Sequence, residues 1–340
     1  DRRAVATWLF ACCVLVFAMI VVGGVTRLTH SGLSITEWQP IIGALPPLTD
    51  AQWEVAFEKY RATPEYRLVN HAMDLGSFKG IFWWEYFHRL FGRLIGVAFL
   101  IPLIAFAVRR RIPAGYGSPL AAIFVLGTLQ GALGWFMVQS GLVDDPRVSQ
   151  FRLTAHLGLA FAILGAMLWL GHSLVRAPSP AARDMHTARL RRGAWVVVVL
   201  VFAMVMSGGL VAGIRAGFAY NTFPLMNGYV VPPEILVIEP WWRNFFWNMA
   251  TVQFDHRALA WLLAFVVPVL AWRLHRARGV ASSARRGGYL LLALLVAQIA
   301  LGIATLLSGV SLPLAAAHQA GAVLVFAAAL NVAHALRERR

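Results

Sequence analysis

Eight apolar runs, each close to the roughly 20 residues that a bilayer span requires, constrain this chain more than any other feature. They cover about Thr7–Thr26, Phe87–Val108, Leu120–Ser140, Thr154–Leu174, Ala194–Gly213, Asp255–Trp272, Tyr289–Ser308 and Ala315–Leu336. In hydrocarbon a spanning segment must satisfy its own backbone, so runs of this length predict helices. With 59% hydrophobic and 13% charged residues over 340 positions, a soluble domain is excluded. The net charge of +15 does not point to nucleic acid, because the basic residues sit in short clusters between the spans. The N-terminus, Arg109–Arg111, Arg176–Arg192, Arg273–Arg286 and the C-terminal RERR hold 18 of the 30 basic residues. Of the acids, the same segments hold only Asp1, Asp184 and Glu338; the other 12 lie in or beside the alternate connections. Arginine marks the cytoplasmic side. Both termini are therefore expected inside and the acidic loops outside, which an even number of spans permits. The first run is long enough to span, so it reads as a helix of the protein rather than a cleavable leader.

The outer loops are unequal. The first runs from Arg27 to Tyr86, where ITEWQP, LPPLTD and ATPEYR read as turns and short amphipathic pieces, and Asp50–Tyr60 reads as one interfacial helix. The loop from Ile214 to Val252 is also substantial and carries Pro224, Pro232, Pro233 and the Trp241–Trp242 pair. Trp83, Trp84, Trp241, Trp242 and Trp247 suit an aromatic belt at the membrane boundary. Where the first loop enters the second span, FKGIFWWEYFHRLFGR (Phe78–Arg93) brings Glu85, His88, Arg89 and Arg93 together. Glu85 and His88 are three apart and share a helical face. Ionisable groups at an entrance into lipid mark a functional site by default. The plainest structural role for Glu85 is to cap the start of its helix. Cys12 and Cys13 lie inside the first span, where adjacent cysteines act as small core residues.

The two halves of the chain match. EYFHR at Glu85–Arg89 aligns with QFDHR at Gln253–Arg257 at an offset of 168 residues. At that offset Gln130, Gly134 and Ser140-Gly141 fall on Gln298, Gly302 and Ser308-Gly309. TAHLG around His156 corresponds to AAHQAG around His318 with a small register change, and Gly23-Gly24 corresponds to Gly208-Gly209. The expected architecture is all-α: eight transmembrane helices as two tandem four-helix bundles, residues 1–176 and 177–340. Four spans return the chain to its starting side, so the bundles should be related by a pseudo-twofold axis along the membrane normal. Small residues in the third and seventh spans would let helices approach closely.

Four of the ten histidines occupy one kind of position. His88, His156, His256 and His318 each lie near the outer end of the second or fourth helix of a unit. Two such helices facing across a bundle core flank a slot suited to a planar porphyrin, the usual geometry of bis-histidine haem ligation. Arg89 and Arg257 follow two of them at the outer rim, where anionic propionates would lie. Taken singly, each histidine reads as an interhelical hydrogen-bonder. Four at repeat-related positions favour ligation, since unpaired polar groups in lipid are costly. Zinc or copper fits less well, because no cysteine or extra carboxylate joins either pair. His172, His334 and His275 read as inner-interface residues, and His30, His71 and His186 as solvated.

GGVTRLTHSGLSITEWQPIIGALPP, TPEYRLVNHAMDLGSFKGIFWWEYFHRLFGR, LGTLQGALGWFMVQSGL and the TAHLG/AAHQAG helices resemble the haem A synthase family over nearly the whole chain, most closely its mitochondrial and alphaproteobacterial branch. The resemblance implies oxidation of the C8 methyl group of haem O to a formyl group, giving haem A for cytochrome c oxidase. It implies a haem b between His256 and His318, substrate between His88 and His156, and an essential loop carboxylate at Glu85, which is well placed for proton transfer. It also implies a bacterial inner membrane with the haem sites toward its outer side. Some members carry a cysteine pair in the first outer loop; this chain has none there, so a thiol role for that loop is absent. Membrane lipid and an unidentified electron donor are expected partners, with haem O synthase and a second copy of the chain as candidates. Two rival classes are a two-haem electron-transfer cytochrome, with equivalent surroundings for both haems, and a haem transporter, with its site between the halves. The large first loop and the Glu85/Gln253 difference favour the enzyme over both.

Overall fold

A computed structural model describes the chain apart from residues 40–41, 177–184 and 338–340 and the side chain of His186. Those segments include part of the Arg176–Arg192 cluster and most of RERR, with Asp184 and Glu338, which therefore lie outside the described residues. The protein is all-helical, and its one β-type pairing among the described residues is the isolated bridge between Met226 and Tyr229. The helices in order are α1 (Arg2–Leu28), α2 (Asp50–Arg61), α3 (Pro64–Leu68), α4 (Leu75–Val108), α5 (Gly117–Gln139), α6 (Gln150–Val175), α7 (Met185–Gly213), α8 (Asn244–Trp247), α9 (Met249–Arg276), α10 (Ser282–Leu307) and α11 (Leu312–Ala335). Eight of them, all but α2, α3 and α8, are long and apolar enough to cross a membrane. The chain is a multi-pass membrane protein.

Neighbour relations repeat along the chain. In the first half α1 packs on α4, α4 on α5, α5 on α6, and α6 back on α1. The second half has the same circuit: α7 on α9, α9 on α10, α10 on α11, and α11 on α7. Between the halves α6 meets α7, α1 meets α11, and α6 meets α11. The central helices are thus α1, α6, α7 and α11, and α4, α5 and α10 bury least of themselves. Since lipid is as apolar as leucine, close packing rather than water exclusion must hold such helices together. Glycines of α6 provide it: a Cβ on Gly158, Gly165 or Gly171 would meet Met206, Phe326 or Phe10 at 2.7–3.2 Å. Cys12 and Cys13 are buried in this core as free thiols.

The spans begin earlier than the apolar runs do. The second starts at Leu75, not near Phe87, because Asp74 caps it by accepting from the Ser77 amide. Glu85 therefore does not cap its helix; it lies ten residues beyond the first helical residue. The interfacial helix expected at Asp50–Tyr60 forms as α2, closed by a capping box between Thr49 and Gln52. Its Trp53, Phe57 and Tyr60 recur at helical spacing and pack on Phe78, Phe82 and Tyr86 of α4. The loop between α1 and α4 is thereby a small aromatic core mounted on the N-terminal extension of α4. Trp84, Trp241, Trp242 and Trp247 keep exposed ring surface, as boundary anchors would. Trp83 instead packs among Trp53, Phe82, Tyr86 and Phe87.

Candidate functional site

Each of the four histidines lies against a glycine of a neighbouring helix. A Cβ built on Gly23 of α1 would stand 3.0 Å from Cε1 of His88, and one on Gly208 of α7 would stand 3.3 Å from Cε1 of His256. Gly134 of α5 and Gly302 of α10 make the same approach to His156 and His318, at 2.9 and 2.8 Å. At Gly134 and Gly302 a larger residue would force the facing ring to shift, and at Gly23 and Gly208 it would crowd it. Gln130 donates from Nε2 to the His156 carbonyl at 3.0 Å, and Gln298 does the same to His318 at 2.8 Å. These two glutamines share a face with the glycines four residues on, so one helix turn orients each histidine. In the first half His88 stands on α4 and His156 on α6; in the second His256 stands on α9 and His318 on α11.

Nδ1 of His88, His156 and His318, and Oε1 of Gln130 and Gln298, are buried with no hydrogen-bond partner in the structure. Buried polar atoms are normally paired; here the unpaired atoms recur at matched places, Gln130 with Gln298 and His156 with His318, so the two halves repeat the same local arrangement. Among the described residues no three His, Cys, Asp or Glu side chains gather as a metal cluster. Two histidines per half without a third ligand suit the axial positions of an iron porphyrin and not a tetrahedral ion. The residues fit haem.

The loop-side rims of the two halves differ. Glu85, only 2% exposed, accepts on Oε2 from the Ser34 amide at 2.7 Å, the Ser34 hydroxyl at 2.7 Å and the Ile35 amide at 2.8 Å. Its Oε1 takes Nη2 and Nε of Arg89 at 2.7 and 3.1 Å. Arg89 also donates to the carbonyls of Ile35 and Glu37 at 2.8 and 3.0 Å. Arg89, expected beside a propionate, bonds Glu85 and the loop. In the second half Gln253 and Arg257 both donate to the Tyr220 carbonyl, at 3.2 and 3.0 Å. Tyr220 corresponds to Ile35 when Gly23-Gly24 is aligned with Gly208-Gly209, so the loop contact is repeated and the ion pair is not. Nε and Nη1 of Arg257 are buried without a partner. A guanidinium in that state is a ready anion holder.

The other histidines fall where expected or add little. The His172 and His334 rings meet at a 45° tilt, 5.3 Å apart, where α6 meets α11, and His334 pairs with Ser173 at 3.0 Å. His275 bonds Tyr289. His30 and His71 are exposed. Sequence reasoning missed Ser207, whose hydroxyl lies 2.6 Å from Nδ1 of His256. It also missed Glu65, which is buried under α2 and receives the Tyr60 hydroxyl at 3.2 Å. A single serine in an apolar run gives no periodic signal. The TPEYR segment shows Glu65 only as a turn residue.

By fold and site this is a multi-pass helical membrane protein with two pairs of histidines set against glycines in its bundled helices. Residues 6–330 match the cytochrome oxidase assembly protein family, and the chain belongs to that family. Its relatives include a protein of Nitrosospira multiformis named haem A synthase, 57% identical over 99% of this chain and 95% of that one. The haem A synthase of Nitrosomonas eutropha is 56% identical over 99% and 94%. That of Rhodospirillum centenum is 50% identical over 98% and 89%.

Proposed function

We propose that this chain is a haem A synthase, oxidising the C8 methyl group of haem O to a formyl group. The observation that carries the reading is the fourfold histidine–glycine contact, present in a chain whose relatives bear that name over nearly their full length. In this reading residues 1–176 and 177–340 form two units about a pseudo-twofold axis along the membrane normal. His88 and His156 hold the substrate porphyrin, and His256 and His318 hold a resident haem b. Methyl oxidation is redox chemistry that ordinary side chains do not perform, so bound iron porphyrin supplies it. Arg257 carries an unpaired cationic edge to the second unit's rim, which supports a permanently held propionate there. Glu85, saturated by its five donors, closes the first outer loop over the His88 side and shields it from water; a role in proton transfer needs those bonds to open. In this reading the chain lies in a bacterial inner membrane with both termini inside and the haem sites toward the outer side, which the positions of the arginine clusters support. Electrons come from an unidentified donor, and haem O synthase and a second copy of the chain are candidate partners. A pure two-haem electron carrier fits less well, since the two rims are unlike.

The test is haem extraction and mass analysis of protein purified from cells supplied with haem O. Wild type should contain haem B and haem A. His88→Ala should keep haem B and lose haem A, whereas His256→Ala should lose most of the haem absorbance. Unchanged haem content and spectrum in His256→Ala would overturn the assignment.

A further inference from the structure

Of the four ring nitrogens that face the glycine helices, one has a partner. Nδ1 of His256 meets Ser207 Oγ at 2.6 Å, while Nδ1 of His88, His156 and His318 is buried alone. The Ser207 hydroxyl also lies 3.2 Å from the Met204 carbonyl, one turn back on α7, to which it can donate. With Nε2 given to iron, the His256 ring proton sits on Nδ1 and is donated to Ser207 Oγ, whose own proton then goes to the Met204 carbonyl. A ligand histidine whose other nitrogen is anchored in this way is fixed in orientation and made a stronger base. With Gly23-Gly24 laid on Gly208-Gly209, the residue matching Ser207 is Val22, which has no hydroxyl. The equivalent ring, His88, packs on its glycine without any partner for Nδ1.

We infer that Ser207 is a positioning residue that makes the second unit retain its haem, and that Val22 at the matched place leaves the first unit able to release its porphyrin. The inference rests on the assignment of haem b to His256 and His318. A substrate has to arrive and leave, and a resident cofactor must not. The same pair of helices can serve both needs if one hydrogen bond separates them. The unpaired guanidinium edge of Arg257, against the neutralised Arg89, acts in the same direction at the rim.

Ser207→Ala in the purified full-length protein is expected to pass its haem to apomyoglobin on the order of 10- to 100-fold faster than wild type, the usual effect of removing an outer partner of a metal ligand. The midpoint potential of the retained haem is expected to rise, because a less electron-rich imidazole stabilises ferric iron less. A purely structural role for Ser207 would not move the potential. Ser207→Thr, which keeps the hydroxyl, should restore both readings. Equal transfer rates and an unshifted potential in Ser207→Ala would overturn the inference. His256→Ala separates the two levels of the argument. If it keeps its haem, the site assignment has failed; if it loses haem while Ser207→Ala matches wild type, only the role of Ser207 has. Should Ser207→Ala not accumulate, Val22→Ser carries the test. It should slow porphyrin release from the first unit, and release at the wild-type rate would count against the inference.

Discussion

At the scale of single residues, two carboxylates in the first half do different work although both are buried. Glu85 is an acceptor saturated by the loop and by Arg89. Replacing it with Gln leaves the partly buried Arg89 without its charge partner, a change that costs about 3–5 kcal/mol where the pair is fully buried. Glu85→Gln is expected to speed amide exchange at Ser34 and Ile35 at least tenfold and to lower haem A yield, with haem B content kept. Normal haem A yield with unchanged exchange would remove Glu85 from both clamp and catalysis. No cation pairs with Glu65 among the described residues; burial, with some repulsion from Glu85, pushes its carboxyl up to about 7 from an ordinary 4.5 despite the Tyr60 hydrogen bond and the favourable charge of Arg215. A carboxyl raised on folding contributes stability that is complete below its unfolded value and lost as pH rises through its folded one. The α2–α3 region should therefore loosen between about pH 4.5 and 7, seen as faster hydrogen exchange over residues 50–70. Glu65→Gln, which mimics the protonated form, should abolish that pH dependence. An unaltered profile would show that Glu65 is not the group responsible.

At the scale of elements, hydropathy locates apolar surface and not the first helical hydrogen bond. α2 was legible as an interfacial helix over Asp50–Tyr60, while the start of α4 was misplaced by about three turns. Its first turns carry Ser77, Lys79 and the boundary tryptophans, which end the apolar run before they end the helix. The four histidines were legible because the repeat aligned them. The glycines against them were legible only as small residues, since which ring approaches which helix is decided by packing across the bundle. That packing can be tested by filling the gap. A Cβ at Gly302 would come within 2.8 Å of His318, and one at Gly134 within 2.9 Å of His156. Gly302→Val should cut the haem B retained by purified protein severalfold. Gly134→Val should spare haem B and lose conversion of haem O. Extraction and chromatography of the haems from both variants checks this, with gel filtration to show that each remains folded. The same loss in both would argue against a division of labour between the halves.

For the whole molecule, the circuit of helix neighbours is the same in each half, and α1, α6, α7 and α11 meet at the centre. Outside the spans, the described acids concentrate at the end where α1 leaves and α4 enters: Glu37, Asp50, Glu54, Glu58, Glu65 and Asp74 lie in the first long loop. At the opposite end the helices close on arginine. Arg176 donates to Asn331, and Arg337 donates to Ser173, to the Arg176 carbonyl and toward His334. The separation by sign read from the sequence is thus also a separation between the two ends of the bundle. Because charge bias sets orientation in the membrane, the arginine end should be cytoplasmic and the histidine pairs should lie nearer the outer surface. A cysteine placed near Gly279, in the turn between α9 and α10, should resist a membrane-impermeant maleimide in intact spheroplasts and react once the membrane is opened. A cysteine at Ala62, in the turn between α2 and α3, should react in both. The buried Cys12 and Cys13 are expected to stay silent, and replacing them with Ala gives the background. The opposite labelling pattern would turn the molecule over and move every haem ligand to the cytoplasmic side, where substrate and electrons would have to arrive from the other face.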